Sequence, residues 1–446
     1  MRVVLISANL ELRPSPVYPV ALGRLAGALQ AAGHEVCQAD RLVDGLDAVV
    51  ASAAAAQPGL MVVSLRNVDD TDERRGSSYI AGYAELIAAL RAVSAAPIVV
   101  GGAGFSLFPE RILAACGADI GVVGPGEDTI CALAANPAAI GPGIMRLGQP
   151  YTGPLVTAAT WAMPSHHEPR LLRHYWQHSG MIGVQSKRGC PRRCSYCTYP
   201  QIDGRRAASA QLDDVVDELA RLEADHGVRY VFFVDSVFNL NRSHELALAA
   251  AIRARGLHIS WGAFFAPRGI DRAYLAALQA AGLRHVEFGT DSVCDAILQR
   301  LGKGFSVADV QQASADCHAL GLACAHYLVF GSPGETAATA TESVQRASEL
   351  PGSVFFPFSS LRIYPGTPLY DQALADRQIS AGQDLLQPHY YHSPALPRDE
   401  LLAILDAWPG RPQRWLDSRR TSSLGPLLAQ LRKRGAVGPL WDYALR

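Results

Sequence analysis

Short apolar runs alternate with stretches of helical spacing in the first third of the chain, and this alternation restricts its fold. The apolar runs occupy residues 3–6, 60–64, 97–100 and 120–123. Apolar residues recur at helical spacing in the stretches 20–32, 79–93 and 109–116. Strands that alternate with helices form a parallel sheet with helices on both faces. We therefore predict a doubly wound α/β domain over residues 1–135.

Polar and glycine-rich loops follow the predicted strands of this first domain. Ligands of doubly wound sheets bind outside the carboxyl ends of the strands. The loop residues that we select as candidates for ligand binding are Ser64, Arg66, Gly101, Gly102, Gly124, Gly126 and Glu127.

A second βα series follows residues 136–176, which are rich in glycine and proline and are predicted to form a linker. Its strands are predicted at 181–185, 230–234, 259–264, 285–289, 326–330 and 355–363. Its helices are predicted to begin near Leu212, Ser243, Asp271, Val307 and Thr336. Six such units predict a partial (βα)6 barrel over residues 177–380, with its active site at the carboxyl ends of the strands. Residues 381–446 are predicted to form a small helical C-terminal region.

The composition is that of a folded protein and argues against two kinds of partner. Hydrophobic residues make up 49% and charged residues 18%, and the formal net charge is −1. A chain without excess basic charge is not expected to bind nucleic acid. No apolar run has the length of a membrane span, and residues 1–7 indicate a buried strand rather than a signal peptide. We therefore predict a cytoplasmic protein.

Three of the nine cysteines, Cys190, Cys194 and Cys197, lie in one loop directly after the first predicted barrel strand. Iron–sulfur clusters usually take four Cys ligands, so three thiolates spaced C-x3-C-x2-C leave one iron open. The alternatives are a zinc site or three unrelated thiols. Zinc requires a fourth Cys or His nearby, and none stands at the usual spacing. The motif therefore favours a [4Fe-4S] cluster with an open iron.

The cysteine motif, with the aromatic Tyr196 before its last Cys, resembles the signature of the radical S-adenosylmethionine (SAM) superfamily. The resemblance implies that the open iron binds SAM and that an electron from the cluster cleaves SAM to a 5′-deoxyadenosyl radical. The cofactors carry this chemistry, and the protein orients them and excludes water.

Later segments resemble the SAM-binding segments of the same superfamily. Residues 232–239, with Asp235 and Ser236, stand where the family contacts the methionyl part of SAM. Residues 287–292 resemble the strand near the SAM ribose. The segments 331–336 and 362–369 resemble the ends of the fifth and sixth strands. The cofactor contacts that the resemblance implies in the barrel are Tyr196, Asp235, Ser236, Glu287, Asp291 and Arg362.

The first domain resembles the Rossmann-like cobalamin-binding domain that precedes the barrel in one radical SAM subfamily. The matching features are Tyr18 before the first helix, Gly101 and Gly102, and the segment 124–128, and Tyr18 is thereby a further candidate for cofactor binding. The resemblance implies that the corrin lies on the strand ends. The alternative is a scaffold that no longer binds a ligand.

The Asp-x-His-x-x-Gly motif, which supplies a lower axial His in other cobalamin proteins, is absent. The first loop, residues 8–14, contains no His. A weaker lower ligand favours low-coordinate cobalt. Arg66 is our candidate for the group that faces the lower side of cobalt. The alternative is that Arg66 pairs with Asp69 or Asp70.

Basic residues surround the cysteine motif and suggest how electrons reach it. We predict that Lys187, Arg188, Arg192 and Arg193 dock an acidic electron donor such as flavodoxin or ferredoxin. The alternative is a solvated loop. No second cluster is predicted from the remaining cysteines, but Cys294 is our candidate for a thiol that faces the active site. Tyr364 is predicted to contact the substrate, with a core role as the alternative.

These features lead to one main hypothesis for the function and two alternatives. We predict a cobalamin-dependent radical SAM methyltransferase that methylates an unactivated carbon of a natural-product or lipid-like small molecule through methylcobalamin. The first alternative keeps the cofactors but predicts cyclisation, rearrangement or oxidation without methyl transfer. The second is a non-catalytic cobalamin-binding regulator.

Overall fold

The structure is a computed structural model, and it describes residues 1–149, 151, 165–407, 414–417, 421 and 424–445. The predicted linker and C-terminal region each include residues outside this described part. The described chain forms two six-stranded sheets with helices packed on them, and two short two-stranded pairs. The predicted α/β class, with a doubly wound domain before a partial barrel, is confirmed.

The first sheet has the strand order β2-β1-β3-β4-β5-β6, in which only β6 is antiparallel to its neighbour. Its strands are β1 (Arg2–Ser7), β2 (Glu35–Asp40), β3 (Leu60–Ser64), β4 (Ile98–Gly101), β5 (Ile120–Val122) and β6 (Ile144–Arg146). The helices on this sheet are α1 (Val20–Ala31), α2 (Arg41–Asp44), α3 (Leu46–Ala56), α4 (Ile80–Val93), α5 (Ala103–Leu107), α6 (Pro109–Cys116) and α7 (Glu127–Ala135). The central strands are continuous apolar runs because helices cover both faces of the sheet.

The second sheet is the partial barrel, with the parallel order β14-β13-β12-β11-β10-β7. Its strands are β7 (Ile182–Val184), β10 (Tyr230–Phe233), β11 (Ser260–Phe265), β12 (Leu283–Asp291), β13 (Ala323–Val329) and β14 (Ser353–Phe358). The short pairs are β8 (Lys187–Arg188) with β9 (Ala208–Ser209), and β15 (Leu361–Arg362) with β16 (Tyr390–Tyr391).

Eleven further α-helices are described around and beyond the barrel. They are α8 (Pro169–Ser179), α9 (Tyr199–Ile202), α10 (Leu212–His226), α11 (Arg242–Ala254), α12 (Arg272–Ala280), α13 (Asp295–Arg300), α14 (Val307–Ala319), α15 (Ala337–Glu349), α16 (Pro368–Ala375), α17 (Arg398–Asp406) and α18 (Gly425–Lys433). A 3-10 helix spans Trp441–Leu445. The helix starts agree with their sequence signals: Ser306 and Thr336 each form a capping box, and Asp271 caps α12.

Within the two six-stranded sheets, three strands differ from the sequence-based expectation; the short strands β8, β9 and β16 outside these sheets were not predicted either. The edge strand β2 was not predicted because polar residues interrupt its apolar pattern. Strand β6 lies inside the predicted linker, where its pairing with β5 depends on a distant partner. The single strand predicted over 355–363 is divided into β14 and β15, and β15 leaves the barrel to pair with β16.

A continuous apolar core joins the two sheets. It contains side chains from the first domain, such as Val63 of β3 and Phe105 of α5, together with Leu301 and Ile363 from the barrel part of the chain. This shared core fixes the carboxyl ends of both sheets in relation to each other. None of the described helices is both long enough and apolar enough to cross a membrane.

Candidate active site between the two sheets

A cavity of about 820 Å³ lies where the carboxyl ends of the first sheet face the cysteine loop of the barrel. All seven loop candidates of the first domain line it: Ser64, Arg66, Gly101, Gly102, Gly124, Gly126 and Glu127. From the barrel side it is lined by Thr198, Tyr199 and Asp203, which adjoin the last cysteine, and by Tyr364. The tertiary structure therefore brings the two predicted sites together at one interface, as is common for ligand sites.

Two glycines shape the floor of this cavity by allowing two loops of the first domain to touch. Gly102 has φ +105°, and a Cβ there would lie 2.8 Å from the carbonyl oxygen of Leu65. A Cβ on Gly104 would lie 2.8 Å from the carbonyl carbon of Asn67. Only glycine fits such approaches. The glycines thus hold the loop after β4 against the loop after β3, and the close approach is between two backbone segments.

Arg66 projects into the cavity from the end of β3, where its side chain is exposed to the cavity space. The predicted alternative, pairing with Asp69 or Asp70, is wrong. Asp69 binds Nε of Arg362 at 2.8 Å, and Asp70 lies 3.3 Å from Nε of Arg75. The surrounding protein desolvates the Arg66 guanidinium and lowers its pKa. Arg66 therefore presents a positive charge to whatever fills the cavity.

The loop that carries the three predicted cluster cysteines is held by backbone hydrogen bonds. Cys190 is buried, and its N–H donates to the carbonyl of Gly204 at 3.0 Å. Ser195 N–H donates to the carbonyl of Leu301 at 2.9 Å. Gly189, with φ +80°, has no space for a Cβ because the carbonyl oxygen of Arg206 is 2.1 Å away. The loop is therefore organised by the fold itself.

The chemistry of the three thiols fits an iron–sulfur cluster. Burial raises the pKa of Cys197 to about 12, so a bound cation is needed to keep this thiol deprotonated. Within the described residues, no group of three or more His, Cys, Asp or Glu side chains is arranged to hold a single metal ion. A cubane cluster binds each thiolate through a different iron, so its ligands lie farther apart than those of one ion.

Asp235 and Ser236 support the cysteine loop instead of facing open space. Oδ1 of Asp235 accepts hydrogen bonds from the N–H groups of Ser186 at 2.7 Å and Lys187 at 2.9 Å. The hydroxyl of Ser236 donates to the carbonyl of Gly189 at 3.1 Å. The buried Asp235 carboxylate is engaged by the protein in this structure, and its contact with SAM stays a prediction.

Asp291 connects Tyr196 of the cysteine loop to Lys303. Its Oδ2 accepts a hydrogen bond from the Tyr196 hydroxyl at 2.6 Å and lies 2.6 Å from Nζ of Lys303. The prediction from sequence placed Tyr196 and Asp291 at the SAM site, and the structure brings both to the cysteines. The prediction from sequence did not identify Lys303, although a lysine between two glycines, Gly302 and Gly304, was a signal in the sequence.

Three other predicted cofactor contacts have different positions. Glu287 is buried in the barrel, where it accepts hydrogen bonds from the Tyr327 hydroxyl and the indole N–H of Trp441, each at 2.8 Å. Arg362 is buried against Asp69 and backbone carbonyls. Tyr18 is buried with its hydroxyl 2.8 Å from Nδ1 of His167, outside the cavity lining. Each of these three side chains ties elements together across the fold, and its contact with a cofactor stays a prediction.

The two predicted catalytic residues are separated by the structure. Tyr364 lines the cavity, where the Arg362 guanidinium lies 4.9 Å from its ring centre. Cys294 is buried at the start of α13, and its thiol donates to Glu342 at 3.2 Å. The position of Tyr364 is consistent with contact to a substrate, and the position of Cys294 is not.

The basic residues of the cysteine loop do not form one docking surface. Lys187 is buried, with Nζ 3.5 Å from Asp235 and 3.4 Å from Glu245. Arg188 is buried in an ion pair with Glu127 of the first domain. Arg193 is exposed. The prediction that all of these residues dock an electron donor is therefore wrong for Lys187 and Arg188, whose charges are neutralised inside the protein.

Two family models match the chain in the order of the two sheets. The B12 binding domain matches residues 6–134, and the Radical SAM superfamily matches residues 184–347. The chain therefore carries a B12-binding domain followed by a radical SAM domain. The cofactors of this radical SAM enzyme are a [4Fe-4S] cluster, SAM and cobalamin. The three thiols of the cysteine loop fit the cluster, and the cavity with the Arg66 charge fits cobalamin.

The relatives of this radical SAM enzyme include methyltransferases. It is 28% identical to a tryptophan 2-C-methyltransferase of Streptomyces laurentii, over 81% of this chain and 73% of the relative. It is also 28% identical to an uncharacterized methyltransferase of Pyrococcus horikoshii, over 44% of this chain and 42% of the relative.

Solved structures show the same fold across the chain. TsrM from Kitasatospora setae, a radical SAM methyltransferase solved with cobalamin and a [4Fe-4S] cluster, superposes with a TM-score of 0.84 at 24% identity. That match covers 100% of this chain and 97% of TsrM. The cobalamin-dependent enzyme OxsB superposes with a TM-score of 0.75 at 13% identity, over 97% of this chain and 71% of OxsB.

Proposed function

We propose that this radical SAM enzyme methylates a carbon atom of a small molecule in the cavity between its two domains. The observation that carries the proposal is the single cavity that receives both Arg66 from the cobalamin side and Tyr199 from the cysteine loop. Such a cavity places a substrate within reach of both cofactors. The methyltransferases among its relatives support methyl transfer as the outcome.

The chain's own residues supply positioning and exclusion of water. When bound, SAM supplies a methyl group, the cluster supplies electrons and cobalamin supplies a cobalt centre that can carry a methyl group. Cys190, Cys194 and Cys197 hold the cluster in this proposal. Ser64, Arg66 and the glycines of the first domain form the floor under the corrin, and Tyr364 contacts the substrate from the barrel side.

An external electron donor, of the flavodoxin or ferredoxin class, completes the proposal because the cluster needs electrons from outside the chain. Of the loop cations, Arg193 is the exposed one, so it is our candidate for contact with the acidic surface of the donor.

The first prediction concerns the three cysteines. Replacing Cys190, Cys194 and Cys197 together by Ala removes the thiolates that the cluster needs, so the protein is expected to lose its iron and sulfide and all activity towards SAM. Iron and sulfide analysis after anaerobic reconstitution measures this loss. Cys131→Ala, which changes a half-buried thiol on α7, is the matched control and is expected to keep a full cluster.

Product analysis separates methyl transfer from the other reactions. Reconstituted enzyme, reductant and SAM labelled in its methyl group are incubated with tryptophan and related aromatic amino acids as first probes. Label in a product carbon, with release of S-adenosylhomocysteine, supports the proposal. An altered but unlabelled product supports cyclisation or rearrangement instead.

For the cysteine prediction, a full cubane in the variant that lacks Cys190, Cys194 and Cys197 would contradict the assignment of these residues as cluster ligands.

A further inference from the structure

Lys303 is a buried cation beside the cysteine loop that the reaction described above does not use. Its Nζ lies 2.6 Å from Oδ2 of Asp291, and the two side chains are only 7% and 3% exposed. Removing both charges from water is costly, and a buried ion pair often gives no more stability than apolar residues of the same size. The pair is therefore poorly explained by stability alone.

Backbone contacts fix Lys303 relative to the cysteines. The carbonyl of Leu301 accepts the N–H of Ser195, and a Cβ on Gly302 would lie 2.6 Å from the carbonyl oxygen of Arg193. The carbonyl of Lys303 itself accepts a hydrogen bond from Arg192 at 3.3 Å. The segment after α13 thus lies directly on the cysteine loop, and its charge cannot move away from it.

The partner of Lys303 is held in an unusual conformation. Asp291 has φ +65°, in the left-handed region that is unfavourable for residues other than glycine. This conformation directs one carboxylate oxygen at both Lys303 and Tyr196. Such strain persists only where the surrounding structure imposes it, and it is concentrated at functional sites.

Both charges of the ion pair lie close to the middle of the cysteine loop. Oδ2 of Asp291 accepts the hydrogen bond of the Tyr196 hydroxyl at 2.6 Å, and Nζ of Lys303 lies 5.8 Å from the centre of the same ring. Tyr196 stands between Cys194 and Cys197 in the sequence, so the cation and the anion both lie near these two cysteines. Two opposite charges at such short range act on the charge of the loop in opposite directions.

We propose that the Lys303–Asp291 pair sets the reduction potential of the cluster, with Lys303 raising the potential and Asp291 lowering it. One electron from the external flavodoxin- or ferredoxin-like donor reduces the cluster from its 2+ to its 1+ state, which adds one negative charge there. A fixed cation nearby stabilises the added charge, since net charge around a cluster is one of the factors that set its potential. The inference rests on ligation of the cluster by the three cysteines.

The test measures the midpoint potential of the cluster in the reconstituted enzyme by optical titration against redox mediators, with electron paramagnetic resonance of the reduced state. Lys303→Gln removes the cation and leaves Asp291, so the midpoint potential of the cluster is expected to fall. The expected fall lowers the ratio of reduced to oxidised cluster about tenfold at a fixed solution potential, which corresponds to about 59 mV. Asp291→Asn removes the anion, and the potential is expected to rise.

Two conservative variants serve as controls. Lys303→Arg keeps the charge and is expected to retain the potential of the unchanged enzyme. Tyr196→Phe removes only the hydrogen bond to Asp291 and keeps both charges, so it also is expected to change the potential little.

Opposite shifts in Lys303→Gln and Asp291→Asn support the proposal, because a purely structural defect moves both variants in one direction. Equal, unchanged or same-sign shifts overturn it. If Lys303→Gln assembles no cluster, Asp291→Asn decides alone, and a potential that does not rise overturns the proposal. Iron analysis distinguishes the two levels of failure: a normal cluster with unmoved potentials refutes this inference only, whereas absence of a cluster in the unchanged enzyme refutes the proposed function.

Discussion

Single side chains determine the character of the cavity, and Arg66 is the clearest example. It is positioned at the carboxyl end of β3, on the side from which the first sheet faces the corrin in our proposal. The carboxylates that follow it in the sequence, Asp69 and Asp70, are both engaged by other arginines. The fold therefore keeps the Arg66 charge available to the cavity, where in our proposal it would disfavour a ligand or water beneath cobalt.

We expect Arg66→Ala to retain cobalamin but to admit water to the lower face of cobalt. Electron paramagnetic resonance of the Co(II) form is expected to change from a signal without a lower ligand to one with an axial oxygen. Methylation turnover is expected to slow roughly tenfold, equivalent to about 1.4 kcal/mol in the barrier. Arg66→Lys is expected to be intermediate, because it keeps the charge but not the planar group.

Arg91→Ala is the control for Arg66, since it removes an exposed arginine that pairs with Asp119 on the same domain. It is expected to leave the cobalt signal unchanged. Nitrogen splitting in the unchanged enzyme would contradict the absence of a lower His. Identical signals and rates in Arg66→Ala and the control would show that Arg66 does not face cobalt.

At the scale of elements, the loops after the barrel strands are held by polar groups that water does not reach. The loop between β13 and α15 is organised by Glu335, whose Oε2 accepts hydrogen bonds from the N–H groups of Gly331 and Ser332. The side chain is fully buried, and this burial raises its pKa from 4.5 to about 7. The folded loop therefore binds a proton more tightly than the unfolded chain does.

The pKa of Glu335 gives stability a defined pH dependence. Because the folded pKa lies above the unfolded value, the contribution of Glu335 is fully present below pH 4.5 and is lost as the pH rises to about 7. The loss is on the order of 3 kcal/mol for a change of this size. Glu335→Gln remains neutral, so its free energy of unfolding is expected to vary less between pH 5 and 8.

Urea unfolding of the holoenzyme across this pH range measures the effect of Glu335. Glu349→Gln, on the exposed end of α15, is the matched control and is expected to follow the unchanged enzyme. Parallel pH profiles for Glu335→Gln and the unchanged enzyme would show that the Glu335 carboxyl titrates outside this range.

At the scale of the whole molecule, the C-terminal segment closes the barrel at the ends of the strands opposite the cavity. Gly438 lies against Tyr230 and His285, at or near the starts of β10 and β12, and the 3-10 helix packs on β14. Trp441 enters the barrel and donates its indole N–H to Glu287. The far end of the chain thus satisfies a buried carboxylate at the centre of the second domain.

Trp441→Phe is expected to leave a buried oxygen of Glu287 without its hydrogen bond and to lower the free energy of unfolding by about 1–3 kcal/mol. Thermal and urea unfolding measure this change. Tyr327→Phe removes the other bond to Glu287 and is expected to act similarly. Trp176→Phe, on the half-buried face of α8, is the control for loss of an indole. Equal stabilities of Trp441→Phe and this control would show that the C-terminal segment does not support Glu287.

The sequence alone determined the features that local patterns encode. Alternating apolar runs and helical stretches predicted both βα series because each element reports its own periodicity. The cysteine motif predicted the cluster loop since its chemistry lies within eight residues. The loops after β3, β4 and β5 were predicted to bind a ligand because their position at strand ends follows from the order of elements alone, and they all line the cavity.

The tertiary structure decided which polar side chains face that cavity and which support the fold. Asp235, Glu287 and Arg362 have the residue types of ligand contacts, yet their partners come from Ser186, Trp441 and Asp69, the last two of which are far away in the chain. Lys303 gained its place through a long-range contact of the segment after α13 with the cysteine loop. A hydrogen-bond partner that is distant in the chain leaves no signal in the sequence around a residue. Such a partner nevertheless decides whether a buried charged side chain supports the fold or is open to a ligand.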